Sequence, residues 1–252
     1  MPDAFLPAIS IEHAFADFVR AFGGEVLEDT LGTGVSFKNA DYLFQQVGVI
    51  GELKRLVSDT TDDAGIQRKI QEKFDRWMAD GSIGLAYGQN RINSRLLPEH
   101  CQRELIDIFR PAIQRRIVEA NKQIRSTAAE LGIENAKGLL LIANDGNFGL
   151  EADAARYLIA KAIGNSCSSI HSIIYFTVNM RASSPMTDKD ALVWMNLNRR
   201  SILAPVDPDF LKQLFDGWLK YLESMLSAAI DKIEADRADL DTIRLIRPQL
   251  KS

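Results

Sequence analysis

The sequence predicts an α/β protein whose core is a mixed β-sheet. Three features indicate this class: an amphipathic helix near the start of the chain, two extended runs joined by a short turn at 41–54, and a strand–helix–strand succession at 138–178. A hairpin supplies antiparallel strands, whereas a helix between two strands implies a parallel pair with a right-handed crossover. The combination therefore predicts a sheet with strands of both directions.

The composition fits one folded unit. The chain has 252 residues, 46% hydrophobic and 25% charged, with a net charge of −4, and this length suffices for a large core. We predict a single α/β domain over 1–252, with a core at about 10–180 and a C-terminal strand and helical extension at about 181–252. The negative charge argues against a protein that coats nucleic acid nonspecifically, but it is compatible with a local basic patch.

Cysteine usage and hydropathy predict a cytoplasmic protein. Cys101 and Cys167 are far apart and lack further Cys or His at ligand spacing, so we expect neither a disulfide framework nor a structural zinc. The N-terminus shows no basic segment followed by a long apolar run, which predicts no signal peptide. No stretch reaches the roughly 18 apolar residues that span a bilayer, so we expect no membrane partner.

The first third of the chain is predicted to form a helix followed by a meander. Apolar spacing predicts a helix over 11–22, with Ser10 as its N-cap. Short extended pieces are expected at 25–27 and 34–37, ahead of the two runs at 41–54. The two runs would be the last two of three successive strands, which form a meander behind the helix.

The middle of the chain is predicted to be helical. We expect helices at 64–80 and 98–131, with Pro111 kinking or dividing the second. The loop between them, 81–97, mixes Tyr, Gln, Asn and Arg, which would suit phosphate contacts, although a simple connection is the commoner role. The second helix carries five basic residues interleaved with acidic ones, which favours a solvated face; they are Arg110, Arg115, Arg116, Lys122 and Arg125.

The last part of the chain begins with the best-defined strand. The run 138–144 is continuously apolar, which is typical of a strand buried on both faces. A helix at 151–163 and a strand at 170–178 follow. Beyond them we predict a loop at 182–190, a strand-like run at 191–197 and a helix from 210 to about 236. The C-terminal helices would either cover the sheet or form a homodimer contact.

The residues that carry chemistry lie at 41–54. Asp41 opens the first run, and the second ends in Glu52-Leu53-Lys54. Because side chains alternate along a strand, Glu52 and Lys54 share a face, and pairing of the runs would bring Asp41 level with them. Two carboxylates suit Mg²⁺ or Mn²⁺, and a lysine can orient the water that such a metal acidifies. This set of groups describes phosphodiester hydrolysis.

The Asp41…Glu52-Leu53-Lys54 pattern, in this order of helices and strands, resembles the PD-(D/E)xK nuclease superfamily, with Ala40 where proline often stands. The resemblance implies a restriction-endonuclease-like αβββαβ mixed-sheet core with additional C-terminal helices. It implies that Asp41, Glu52 and Lys54 are catalytic. It also implies that Asp41, Glu52 and the backbone carbonyl of Leu53 hold Mg²⁺ (or Mn²⁺).

The same resemblance implies a nucleic-acid substrate, DNA, and a role as a stand-alone restriction or defence endonuclease. Glu12 is a candidate accessory ligand, because several nucleases of the superfamily carry a glutamate on the helix before the sheet. A carboxylate favoured by the helix dipole is the simpler explanation for Glu12. The candidate phosphate-binding residues are Arg55, Lys69, Arg91 and Arg95.

One alternative belongs to a different class of protein. A non-catalytic interaction or structural α/β protein could retain a nuclease-like sheet and carry these residues as surface decoration. The burial of the side chains distinguishes the enzyme from this alternative. Catalytic side chains should converge in a cleft, whereas surface side chains without a catalytic role should point separately into solvent. Serine-elbow, P-loop and dinucleotide-binding glycine patterns are absent from the sequence, so those chemistries have no support.

Overall fold

A computed structural model describes residues 8–32, 37–57, 63–84, 94–163, 167–185, 187–198, 204–227, 230 and 242–246. Short 3₁₀ turns lie at Gln45–Val47 and Ser94–Leu96. The helices are α1 (Ile11–Phe22), α2 (Leu27–Leu31), α3 (Ala64–Ala79), α4 (Glu99–Asp107), α5 (Arg110–Glu130), α6 (Ala152–Ala162) and α7 (Pro208–Leu226). The strands are β1 (Glu25–Val26), β2 (Tyr42–Phe44), β3 (Val49–Leu56), β4 (Lys137–Asn144), β5 (Ile170–Thr177), β6 (Ala182–Ser184), β7 (Thr187–Ala191), β8 (Trp194–Asn198) and β9 (Arg244–Leu245).

The main sheet has six strands in the order β1-β2-β3-β4-β5-β8. Strands β1, β2 and β3 form an antiparallel meander, β3, β4 and β5 run parallel, and β8 returns antiparallel to β5. The predicted α/β class, the mixed sheet and the three-stranded meander are confirmed. Because β4 lies between two parallel neighbours with both faces covered, its sequence is continuously apolar.

Helices cover both faces of the sheet and create two apolar layers. The α5 and α6 side includes Ile50 of β3 packed with Ile117. The α1 and α7 side includes Leu53 of β3 and an aromatic group in which the Phe15 and Trp218 rings lie 4.9 Å apart. The C-terminal extension is thus part of the core, since α7 shields one face and β8 extends the sheet.

Local signals explain where several elements end. Gly23 ends α1 in a left-handed conformation with φ of 92°, which glycine adopts without a steric penalty. Helix α4 ends at Asp107, and Pro111 stands in the first turn of α5, where a missing N–H costs no helical hydrogen bond. The predicted division of the 98–131 segment is confirmed. None of the described helices is long and apolar enough to cross a membrane.

Some predicted boundaries are wrong. Leu27 begins α2 and does not continue the strand. Most of the strand predicted at 34–37 lies outside the described residues, and Phe37 is in a bend. The final helix begins at Pro208 and its described part ends at Leu226, followed by Ser227 with φ of 50°, which is a left-handed helix end.

The largest difference is at 182–190, where a loop is predicted and strands β6 and β7 form. These strands build a second sheet in the order β7-β6-β9, in which Ala182 pairs with Leu245. The strand predicted at 191–197 is displaced accordingly, because residues up to Ala191 belong to β7 and β8 begins at Trp194. Backbone pairing with a segment near the C-terminus stabilises this polar sequence, which has no apolar alternation to reveal it.

Candidate active site

The β2–β3 hairpin places Asp41 beside the Glu52–Lys54 end of β3. Tyr42 pairs with Gly51, and the Asp41 N–H donates to the Gly51 carbonyl at 3.1 Å. The turn between the strands is the 3₁₀ segment Gln45–Val47, closed by Gly48 at φ of 62°. This register is the one that the predicted hairpin requires.

The three predicted catalytic side chains converge. Glu52 Oε1 lies 2.6 Å from Lys54 Nζ, and the Leu53 N–H donates to Asp41 Oδ2 at 2.7 Å. The Glu52 side chain is 1% exposed and the Lys54 side chain 19%. Asp41 is half-buried. Glu52 is therefore buried, and Asp41 and Lys54 are the members of the set that solvent reaches.

The backbone carbonyl of Leu53 points towards the same site. In a strand, the N–H and C=O of one residue point to the same edge. Because the Leu53 N–H meets the Asp41 carboxylate, its carbonyl points to the edge that β2 leaves open where it begins at Tyr42. Asp41, Glu52 and the Leu53 carbonyl can thus supply three oxygen donors to one region.

Burial makes both acids unusually weak, and the charge of Asp41 adds to this effect at Glu52. Burial, followed by the charge of Asp41, raises the pKa of Glu52 to about 8, while Lys54 opposes the shift. Burial also raises the pKa of Asp41 above its usual range, and the hydrogen bond from the Leu53 amide partly offsets this. The pair thus retains a proton at a pH where ordinary carboxyl groups are ionised.

Glu52 has one oxygen whose bonding is incomplete. Its Oε2 atom is buried and has no hydrogen-bond partner among the described residues. A buried carboxylate oxygen without a partner is costly, and a divalent cation is one group that would satisfy it. Nowhere in the described ranges do three or more His, Cys, Asp or Glu side chains form a metal-binding group. A cation here would therefore be held by Asp41, Glu52 and the Leu53 carbonyl, which are hard oxygen donors of the kind that Mg²⁺ and Mn²⁺ prefer.

Helix α5 holds the site in place through polar side chains that sequence reasoning missed. Thr127 Oγ1 accepts from the Ala40 N–H at 2.7 Å, which fixes the residue before Asp41. Gln123 Oε1 accepts from Lys54 Nζ at 2.7 Å, and its Nε2 donates to the Asn39 carbonyl at 3.0 Å. The signal for these contacts is a polar stripe at helical spacing within an otherwise apolar helix face; its members are Arg116, Gln123 and Thr127 among Ile113, Ile117, Ala120 and Ile124.

Arg55 and Glu12, two of the predicted site residues, lie on the opposite face of β3 from Lys54. The Arg55 guanidinium contacts Glu12 at 2.9 Å and Asp145 at 2.7 Å. This placement follows from the alternation of side chains along a strand. The two carboxylates already neutralise the positive charge of Arg55, which a phosphate would otherwise contact. The geometry does not favour Arg55 as a phosphate ligand. Glu12 acts on the acid pair only through its charge, which adds to the rise in the pKa of Asp41.

Two further candidate phosphate ligands, Lys69 and Arg95, are described by the structure. Lys69 is exposed on α3. Arg95 follows the loop and lies 3.8 Å from Asp153 at the start of α6. Arg91 lies outside the described residues.

Convergence and burial favour an organised site over separate surface charges. Asp41, Glu52 and Lys54 share one face of the hairpin, and α5 positions both the lysine and the segment before Asp41. Comparisons of the chain with protein-family models, with curated proteins and with solved structures found no match.

Proposed function

We propose that the protein is a Mg²⁺- or Mn²⁺-dependent endonuclease of the PD-(D/E)xK type that hydrolyses phosphodiester bonds in DNA. The observation that carries this proposal is the buried Glu52 carboxyl, which lies beside Asp41 and Lys54 and has one oxygen without a hydrogen-bond partner among the described residues. The mixed sheet, in which an antiparallel meander leads into parallel strands, supports a restriction-endonuclease-like core.

Each residue of the set has a distinct role in this proposal. Asp41, Glu52 and the Leu53 carbonyl hold the metal, which when bound polarises the phosphate and acidifies a water molecule. Glu52 must give up its proton before it can act as a ligand. Lys54, held at its ammonium by Gln123 and Glu52, donates its third N–H to the attacking water, and its positive charge stabilises the scissile phosphate.

The alternative is a structural role for the same residues. Lys54 already has two partners, Glu52 and Gln123, and a buried ion pair can exist without any chemistry. In that case the chain would be a non-catalytic interaction or structural protein with a nuclease-like sheet. Its acidic balance, with a net charge of −4, is the observation that favours this alternative.

Cleavage assays separate the two functions. Labelled single- and double-stranded DNA and RNA would be incubated with the protein in Mg²⁺, Mn²⁺ or EDTA. We expect metal-dependent cutting of DNA that Glu52→Gln abolishes. Asp145→Asn is the matched control, because Asp145 is also a largely buried carboxylate that contacts a cation, Arg55 at 2.7 Å.

The outcomes point in different directions. Cutting that Asp145→Asn preserves and Glu52→Gln removes supports the nuclease. Cutting of RNA but not DNA would support the proposed catalytic site and show that its substrate is RNA. No cutting of any substrate by a folded wild-type protein would support the structural alternative. Thermal unfolding of each variant establishes that it is folded.

A further inference from the structure

Arg116 differs from the other basic residues of α5. Sequence reasoning places it with Arg110, Arg115, Lys122 and Arg125 on a solvated face, but the structure shows those four exposed and Arg116 half-buried. Its Nε donates to the Arg55 carbonyl at 3.2 Å and its Nη1 to the Ala112 carbonyl at 3.3 Å. The guanidinium is thereby fixed over β3, one residue beyond Lys54.

The charge of Arg116 has no matching carboxylate within the described part of the chain. Among those residues no acidic group lies within ion-pair distance of 4.0 Å, and both bonded partners are neutral carbonyls. Burial and the neighbouring Arg115 lower the pKa of Arg116, and the pull of Glu119 is smaller than either effect. A half-buried guanidinium whose Nη2 has no hydrogen-bond partner among the described residues is suited to an anion.

A cavity adjoins this guanidinium at the C-terminal end of β3. Leu56, Ile113 and Leu150 contribute apolar walls and Arg116 contributes the positive charge. The Arg55 carbonyl that holds Arg116 is two residues beyond the Leu53 carbonyl, a spacing of about 6.6 Å along a strand. About two nucleotides span that distance at an axial rise of about 3.4 Å per nucleotide.

We propose that Arg116 binds a phosphate of the polynucleotide strand, next to the phosphodiester that lies at Asp41, Glu52 and Lys54. This inference rests on the proposed function for the identity of the ligand. The phosphate contacts the Nη2 side of the guanidinium, while Nε and Nη1 keep their carbonyl partners. Arg116 thus has the role of phosphate ligand for which the sequence offers Arg55 as a candidate.

The first test is nucleic-acid binding without cleavage. Fluorescence anisotropy of a labelled oligonucleotide, in EDTA and over a series of salt concentrations, compares wild type with Arg116→Met. We expect binding about tenfold weaker and a plot of log K against log salt whose slope is smaller by about 0.7 to 0.9, the change for one lost phosphate contact. Arg115→Met, the exposed neighbour, is the control and should leave the slope unchanged.

A conservative variant and a simpler ligand complete the test. Arg116→Lys keeps the charge without the fork, so it should restore the salt slope and only part of the affinity. Titration with inorganic phosphate should shift the Arg116 Nε–H signal in ¹⁵N NMR spectra of the wild type and reach saturation.

Two results would overturn the inference. An Arg116→Met slope equal to that of wild type, or equal losses in Arg115→Met and Arg116→Met, would show that Arg116 makes no specific phosphate contact. If the wild type binds no oligonucleotide in EDTA, the cleavage assay decides the proposed function, and the phosphate titration decides the anion site separately. A saturating shift would retain the site and an unmoved signal would reject it.

Discussion

Replacing Lys54 by methionine is expected to lower the rate of metal-dependent cleavage by about a thousandfold, the order of loss when one preorganised donor to a developing charge is removed. Methionine keeps the length and apolar character of the stem, so the packing along β3 is retained while the ammonium is lost. The Glu52 and Asp41 carboxylates remain, and Mn²⁺ should therefore still bind. Single-turnover cleavage kinetics, with Mn²⁺ at saturating concentration, measures this effect.

Lys137→Met provides the matched control for this substitution. Lys137 is also a half-buried lysine on a central strand, and its Nζ donates to the Pro205 carbonyl at 2.9 Å. We expect the Lys137 variant to cleave at nearly the wild-type rate. Equal losses in both variants would mean that the effect is structural, and undiminished cleavage in Lys54→Met would remove Lys54 from the site.

The free energy of unfolding is expected to fall as the pH rises from about 4.5 to about 8, because Glu52 keeps its proton in the folded state over this range. Its pKa is about 8 when folded and about 4.5 at its ordinary value. Between these values the folded state binds more protons than the unfolded state, so each unit of pH removes at most about 1.4 kcal/mol through this group. The contribution of Glu52 to stability is complete below pH 4.5 and is lost as the pH rises through about 8, where Glu52 ionises in the folded state.

Urea unfolding at pH 5, 6.5 and 8 measures this dependence. Glu52→Gln should flatten the dependence of the free energy of unfolding on pH. The stability of the variant relative to that of the wild type should therefore be higher at pH 8 than at pH 5. Glu104→Gln is the control, since Lys73 and Arg76 lower the pKa of Glu104 and place its titration at lower pH. Parallel curves for wild type and Glu52→Gln would show that Glu52 ionises normally in the folded protein.

The sequence determines the hairpin and the central strand through local signals. Asp41 comes level with Glu52 because a three-residue turn and Gly48 fix the register, and period-two alternation then places Lys54 beside Glu52. The same alternation places Arg55 on the opposite face of β3 from Lys54. The sequence pattern itself therefore argues against Arg55 as a phosphate ligand at this site.

Other parts of the site depend on contacts between distant segments. Gln123 and Thr127 become site residues only because α5 lies along β3. Gln123 and Lys54, which share a hydrogen bond, are 69 residues apart in the sequence. The small sheet has the same origin, since β6 pairs with β9 near the C-terminus. Local propensity contains no information on either arrangement.

Isothermal titration calorimetry with Mn²⁺ at pH 8 measures whether Asp41 and Glu52 hold a metal, on which the proposed nuclease activity depends. At this pH Glu52 ionises readily enough to act as a ligand. We predict one Mn²⁺ per wild-type chain and an affinity at least about a hundredfold weaker for Glu52→Gln, since loss of an outer-shell partner alone costs 10- to 100-fold. No binding by the wild type, or equal affinity in Glu52→Gln, would rule out a metal site at Asp41 and Glu52.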